Sequence, residues 1–180
     1  MRRVLGAVAV LGMLALSGCG GGTPLPTLPP TPSSTPVFAS EEEALAAAEE
    51  AYAAYSEASS LIASDGGADP HRVAPYVTEE QLRNELATAD YYASNGVHSV
   101  GSPVITFFQL QDWSQAGTQA EIVVYVCVDV SMVRVVDSDG VDVTPPDREP
   151  VVPLEVLITG DAPDALLVAS SEQWSGSSFC

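Results

Sequence analysis

Asp129 is an acid in an otherwise apolar run from Ala120 to Val135, where valines recur at every second position. A carboxyl shut into an apolar pocket has a raised pKa and can serve as a general base, so Asp129 is the residue best suited to proton-transfer chemistry, although an acid exposed on the outer sheet face or near a strand end is the plainer reading. Tyr52 and Tyr55, with Trp113 and Trp174, are available to line such a pocket or to fill a core, and core filling is the plainer role. The rest of the reactive inventory points away from catalysis. His71 and His98 fall in expected loop or turn segments with no second ligand at motif spacing. Ser170, Ser171 and the serines from Ser175 to Ser178 lack a neighbouring base, and no phosphate loop or nucleophile elbow occurs. Asp137-Ser138-Asp139-Gly140 invites comparison with a calcium loop, but a third acid before the glycine is missing and Pro146 stands where the closing glutamate belongs. That segment reads as a solvated hairpin turn, and neither a metal site nor a cofactor is expected.

The elements that would position these residues follow from periodicity. Ser40 before Glu41-Glu42-Glu43 has the pattern of a capped helix start, with Glu43 at the capping-box position. Leu45, Ala48, Tyr52, Tyr55, Ser59 and Ile62 then recur every three or four residues, an amphipathic helix to about Ala63 that Asp65-Gly66-Gly67 ends. Asp69-Pro70 opens a short helical turn through Val77. Thr78-Glu79-Glu80-Gln81 is a second capping box, with Leu82, Leu86 and Ala89 leading a helix toward Asn95-Gly96. From Gly101 the period changes to two. Strands are expected over Val104–Trp113, Ala120–Val135, Leu154–Thr159 and Leu166–Trp174, with Ser114–Gln119 as a hairpin loop. In the second of these, Ile122, Val124, Val126, Val128 and Val130 share one face, and Tyr125, Cys127, Asp129 and Ser131 the other. The fold class is therefore α+β: N-terminal helices packed on a curved, cone-like antiparallel sheet of four or more strands.

This order of elements resembles the nuclear-transport-factor-2-like fold, also called SnoaL-like or cystatin-like, in which a long N-terminal helix lies across a strongly curved sheet. Glu50-Ala51-Tyr52-Ala53-Ala54-Tyr55 and the Cys127/Cys180 pair are similar to those of small uncharacterised actinobacterial lipoproteins. The resemblance implies a fold and no activity. Ketosteroid isomerases of that fold combine an acid with a tyrosine in the cone, but their motif does not align here and no catalytic residue is carried over.

The N-terminal segment carries a different chemistry. Arg2 and Arg3 precede an uncharged stretch from Val4 to Leu16, too short for the ~20 residues that a bilayer-spanning helix needs, and the pattern is that of a secretory signal. The run Leu16-Ser17-Gly18-Cys19 resembles the lipobox of bacterial lipoproteins. The resemblance implies cleavage before Cys19, acylation of its sulfur, and attachment to the membrane through acyl chains. The general secretory route is favoured over the twin-arginine route, because the longer consensus around Arg2-Arg3 is absent. Residues 1–18 are thus read as signal peptide, 19–39 as the lipidated cysteine and a tether with six prolines, and 40–180 as one domain.

Past Cys19 the chain has four arginines and no lysine against 24 acidic residues, a composition like that of high-GC actinobacteria. Such a surface repels phosphates, which excludes nucleic acid as a partner and leaves the lipid as the sole evident membrane attachment. Cys127 and Cys180 are the remaining cysteines on what would be the oxidising side. An intramolecular bridge is the first reading, with intermolecular pairing, free thiols or a metal pair as alternatives. Taken together, these features suggest a lipoprotein on the extracytoplasmic face, serving as a non-catalytic module for an envelope protein or small ligand. The alternatives are a pocket isomerase or hydrolase using a buried carboxylate such as Asp129, and a structural envelope protein.

Overall fold

Ser40 accepts a hydrogen bond from the Glu43 backbone N–H at 3.3 Å, and Glu43 Oε2 accepts one from the Ala39 N–H at 2.9 Å. These bonds satisfy amides that a helix start leaves bare, and helix α1 (Glu41–Ser64) follows. The computed structural model describes residues 36–180. After α1 come a 3-10 helix (Pro70–Tyr76), helix α2 (Glu79–Asn95) and six strands. They are β1 (Val97–Val100), β2 (Val104–Ala116), β3 (Gln119–Asp129), β4 (Arg134–Asp137), β5 (Val151–Gly160) and β6 (Leu167–Gln173).

The main sheet is antiparallel with order β2-β3-β5-β6, and β1 pairs with β4 in a separate two-stranded sheet. The main sheet is open. Register shifts between Ile105 and Phe107, between Leu110 and Asp112, and again between β5 and β6 are the bulges by which its strands bend. The alternation of β3 sorts its side chains cleanly. Ala120, Ile122, Val124, Val126 and Val128 are buried against Ala44, Ala48, Tyr52, Tyr55, Ala58 and Ile62 of α1, joined by Val156, Ile158 and Val168. At the end of α1, Gly67 takes a φ of +84°, and a Cβ there would strike the Ala89 carbonyl of α2. Glycine thus brings the two helices into close approach.

Four expectations are corrected. The tether does not extend to residue 39: Phe38 is 1% exposed in the core, and its N–H and C=O are both bonded by the Gln115 side chain, at 2.8 and 3.0 Å. Ser114–Gln119 is not a loop. Ser114, Gln115 and Ala116 pair with Glu121, Ala120 and Gln119, and Gly117 at φ +67° carries a tight turn. The second strand stops at Asp129, because Arg134–Asp137 leaves to pair with Val97–Val100. His98 consequently lies in β1, whereas His71 is in the expected short helical turn, the 3-10 helix. Finally, β5 begins before Leu154 and includes Pro153, which pairs with Cys127. Its absent N–H is tolerated because β6 ends opposite it, where Trp174 donates to the Pro153 carbonyl at 2.9 Å.

The outer face of the sheet has a cover of its own. A disulfide joins Cys127, 2% exposed, to the C-terminal Cys180, with the Cα atoms 5.8 Å apart. Under this strap Phe179 stacks on Tyr125 at 4.5 Å, and Trp174 packs on Tyr125 at 5.0 Å. Cross-linking across this length of chain removes unfolded-state entropy equivalent to about 4 kcal/mol. Cys180→Ser is therefore expected to lower unfolding stability by about 2–4 kcal/mol and to shift tryptophan emission to the red as Trp174 loses cover. A urea titration followed by fluorescence checks both; an unchanged midpoint would show that the strap contributes nothing.

Candidate functional site

The face that α2 turns toward α1 is polar. Gln81, Glu85 and Ala89 recur at intervals of four and so share one side of the helix. Gln81 is only 4% exposed. Across from it, Tyr55 and Ser59 form the matching pair on α1. Tyr55 donates its hydroxyl to Glu85 Oε1 at 2.7 Å, Ser59 donates to Oε2 at 3.0 Å, and Gln81 Nε2 donates to Oε1 at 2.9 Å. Asn84 Nδ2 in turn donates to the side-chain Oε1 of Gln81 at 3.3 Å. A half-buried carboxylate is normally balanced by a cation or by several donors. Here three neutral donors do it, and neither ion pair among the described residues, Arg72–Asp65 or Arg134–Asp142, includes Glu85.

Glu85 also forms part of the wall of a cavity of about 200 Å³. Ile62, Ala63, Ala89, Pro103, Val130 and Val133 supply its apolar lining, and no lysine, arginine or histidine is among its walls. Ser99 lines it too, 7% exposed. A second space of about 510 Å³ shares Ser60 and Pro103 with the first and is bordered by Leu61, Val104 and Ile105. Leu61 and Val104 are 48% and 56% exposed, so this neighbouring space presents apolar side chains to solvent.

Among the residues singled out from the sequence, the structure separates those expected to share a pocket. Tyr52 and Tyr55 lie on the helix side of the sheet, 5.7 Å apart between rings, and Tyr52 packs on Phe108 at 5.8 Å. Asp129 is on the opposite face, at the end of β3, where it accepts the Ser131 N–H at 2.8 Å. The Ser131 hydroxyl, and then its backbone N–H, hold the Asp129 carboxyl below its ordinary range. That is the plainer position expected for this acid, at a strand end, and not the apolar enclosure that would raise its pKa. Trp174, proposed for the same pocket, belongs to the outer aromatic cluster. Asp137 Oδ1 accepts from the Asp139 and Val141 amides at 3.0 and 2.9 Å, a turn built on its own side chain. No group of three potential ligands close enough to hold a metal occurs among the described residues. No helix among them is long and apolar enough to cross a membrane. Cys19, Leu16, Ser17 and Gly18 lie outside the described residues.

Glu85 and Gln81 went unread in the sequence because Leu82, Leu86 and Ala89 mark a more obvious stripe. The available signal was a pair of four-residue spacings, Gln81/Glu85 and Tyr55/Ser59, but nothing local indicates that the two face one another.

No family model matches this chain, and no curated sequence does. Among solved structures, the chain is similar to the intermembrane space region of the chloroplast protein ARC6, with 12% identity and a TM-score of 0.52 over 73% of this chain and 97% of that one. That likeness is one of fold. A de novo designed β-sheet protein also aligns, at 12% identity over 76% of this chain and 92% of that one, with a TM-score of 0.30 that carries no argument.

The two buried tyrosines make the helix layer sensitive to alkali. Burial pushes the Tyr52 hydroxyl up to about 12, the Ser171 hydroxyl partly opposing and the Glu85 charge adding to the shift. Burial, followed by the Glu85 charge, raises Tyr55 further. In the unfolded chain both ionise near pH 10, so their contribution is complete below that pH. It is lost as pH rises from 10 toward 12, at roughly 1 kcal/mol per pH unit for each tyrosine. Urea midpoints from pH 9 to 11 should fall steeply, and less steeply for Tyr52→Phe. Equal slopes in the two proteins would contradict the assignment.

Proposed function

We propose that this chain is a lipid-anchored extracytoplasmic lipoprotein whose domain is a non-catalytic small-ligand module, binding in the cavity between α1, α2 and the loop after β3. The observation that carries the binding role is Glu85: a carboxylate on a largely apolar cavity wall, held by neutral donors and in no ion pair among the described residues. Enclosed apolar spaces with a few convergent polar groups are the usual form of small-molecule sites. The same geometry argues against an enzyme. Three of the lone-pair positions of Glu85 are taken by Tyr55, Ser59 and Gln81, and the cavity brings no histidine, lysine or cysteine beside it. The anchoring role is supported by Leu16-Ser17-Gly18-Cys19 after an uncharged stretch, and by the proline-rich segment that follows. A disulfide between Cys127 and Cys180 is compatible with an oxidising compartment. Within this reading the domain is a nuclear-transport-factor-2-like cone of the actinobacterial lipoprotein type.

Cells grown with labelled palmitate are expected to incorporate it into the wild-type protein and not into Cys19→Ala, which should be shed from the membrane or keep its signal peptide. An unlabelled wild-type protein would overturn the anchor. Native mass spectrometry of protein extracted gently from its own membranes should detect a bound small molecule that Ala63→Leu, which fills the cavity, does not retain. Protein that carries no adduct, or the same adduct in Ala63→Leu, would count against the binding role.

A further inference from the structure

The cavity's electrostatics define the ligand it suits. Glu85 can offer four lone-pair positions to donors. Tyr55 and Gln81 occupy both on Oε1, and Ser59 one on Oε2, which leaves one acceptor position on Oε2. Ser99 adds a hydroxyl to the same walls, 7% exposed. Nothing basic lines the space. The nearest strong cation on the loop side, Arg148, donates to the Val130 and Val133 carbonyls at 2.9 and 2.6 Å, so it braces the loop and is not a cavity wall. Thr88 and Tyr92 also stand in the lining, the rest of which is aliphatic apart from Ser60, and Ser60 and Pro103 connect the space to a larger one bordered by Leu61, Val104 and Ile105.

From this arrangement we infer that the site takes a small organic cation: a primary ammonium or similar head that donates to Glu85, on an aliphatic body that lies along Pro103 toward Leu61 and Val104. An ammonium has only donors, which complements a free carboxylate lone pair and a hydroxyl able to accept. An anionic ligand would bring a second negative charge against Glu85 in a low-dielectric space. The whole-chain balance of 24 acids against six basic residues works in the same direction, drawing cations toward the domain. This inference rests on the cavity being a binding site, and deepens that proposal by naming the ligand's chemistry.

The test uses the full chain, recovered with its membrane anchor in phosphatidylcholine nanodiscs, and three probes of one shape: n-butylammonium, 1-butanol and butyrate, each measured by equilibrium dialysis against empty nanodiscs. Saturable one-site binding of butylammonium, at least about tenfold tighter than butanol and with butyrate weaker still, is the expected result, tenfold being the worth of one good charged contact. Glu85→Gln keeps an acceptor for Tyr55 and Gln81, with Ser59 turning to accept from the new amide, and should bring butylammonium down to the level of butanol; Ala63→Leu, with Glu85 intact, should abolish both. If Glu85→Gln fails to fold, the ranking of the three probes on the wild-type protein decides alone. Equal binding of butylammonium and butanol, both lost in Ala63→Leu, would overturn the cation inference and leave the cavity as a binding site. No saturable binding by any probe, or binding indifferent to Ala63→Leu, would overturn both.

Discussion

Strand β3 buries one face and needs cover over Tyr125 and Cys127 on the other, and the arrangement of the domain follows from that constraint. A strand that is apolar on one side and carries Tyr125 and Cys127 on the other cannot be the outer layer of an ordinary two-layer fold with its second face bare. Ile122, Val124 and Val126 on the inner side are fully excluded from solvent beneath α1. On the outer side there is no second layer of helices among the described residues. The chain supplies one from its own end, Trp174 and Phe179 folding over Tyr125 while the Cys127–Cys180 bond ties the last residue down. The two layers are held by different physics. Helix burial is a solvent effect distributed over many side chains. The tail, short and rich in serine and glycine, has too little apolar area to stay down by burial alone, and a covalent link limits how far it can open.

The helix layer shows the complementary problem, a polar group that must be accommodated inside. An unpartnered carboxylate beneath two helices would destabilise them by several kcal/mol. Tyr55, Ser59 and Gln81 surround Glu85 instead, so that a potential defect becomes a directional link between α1 and α2. Hydrogen bonds of this kind are position-specific where aliphatic packing is not, and they fix the register of α2, which otherwise buries little beyond Ala89. The same link leaves a carboxylate at a cavity wall. The polar seam is therefore at once the joint between the helices and the feature most suited to recognise a ligand.

Local pattern was a sound guide wherever a residue's fate depends on its neighbours in sequence. Ser40 and Thr78 cap the helices that their capping boxes announce, and Gly96 ends α2 in the left-handed conformation, φ +61°. The period-two run from Ala120 sorted into buried and outward faces as its alternation dictates. Short elements were less legible. Val97–Val100 is only four residues long and becomes a strand because Arg134–Asp137 comes alongside it, which no local spacing records. Phe38 looked like the end of a proline-rich tether, since its role depends on a glutamine 77 residues away.

Charge and pocket chemistry show the same division. Asp129 was conspicuous because its neighbours along the strand are apolar, yet solvation depends on what covers a face, and Asp129 lies at the strand end bonded to Ser131. Glu85 was inconspicuous because α2 is rich in polar residues, and its importance arises from Tyr55 and Ser59 arriving from another helix. The sequence by itself determined the helices and most of the strands, the acidic balance, the alternation of β3 and the cysteine pair available for bridging, because these rest on periodicity, composition and capping within a few residues. Only the tertiary structure decided which acid is enclosed, which strands share a sheet and where a cavity opens, because burial and electrostatics are set by atoms distant in sequence and close in space.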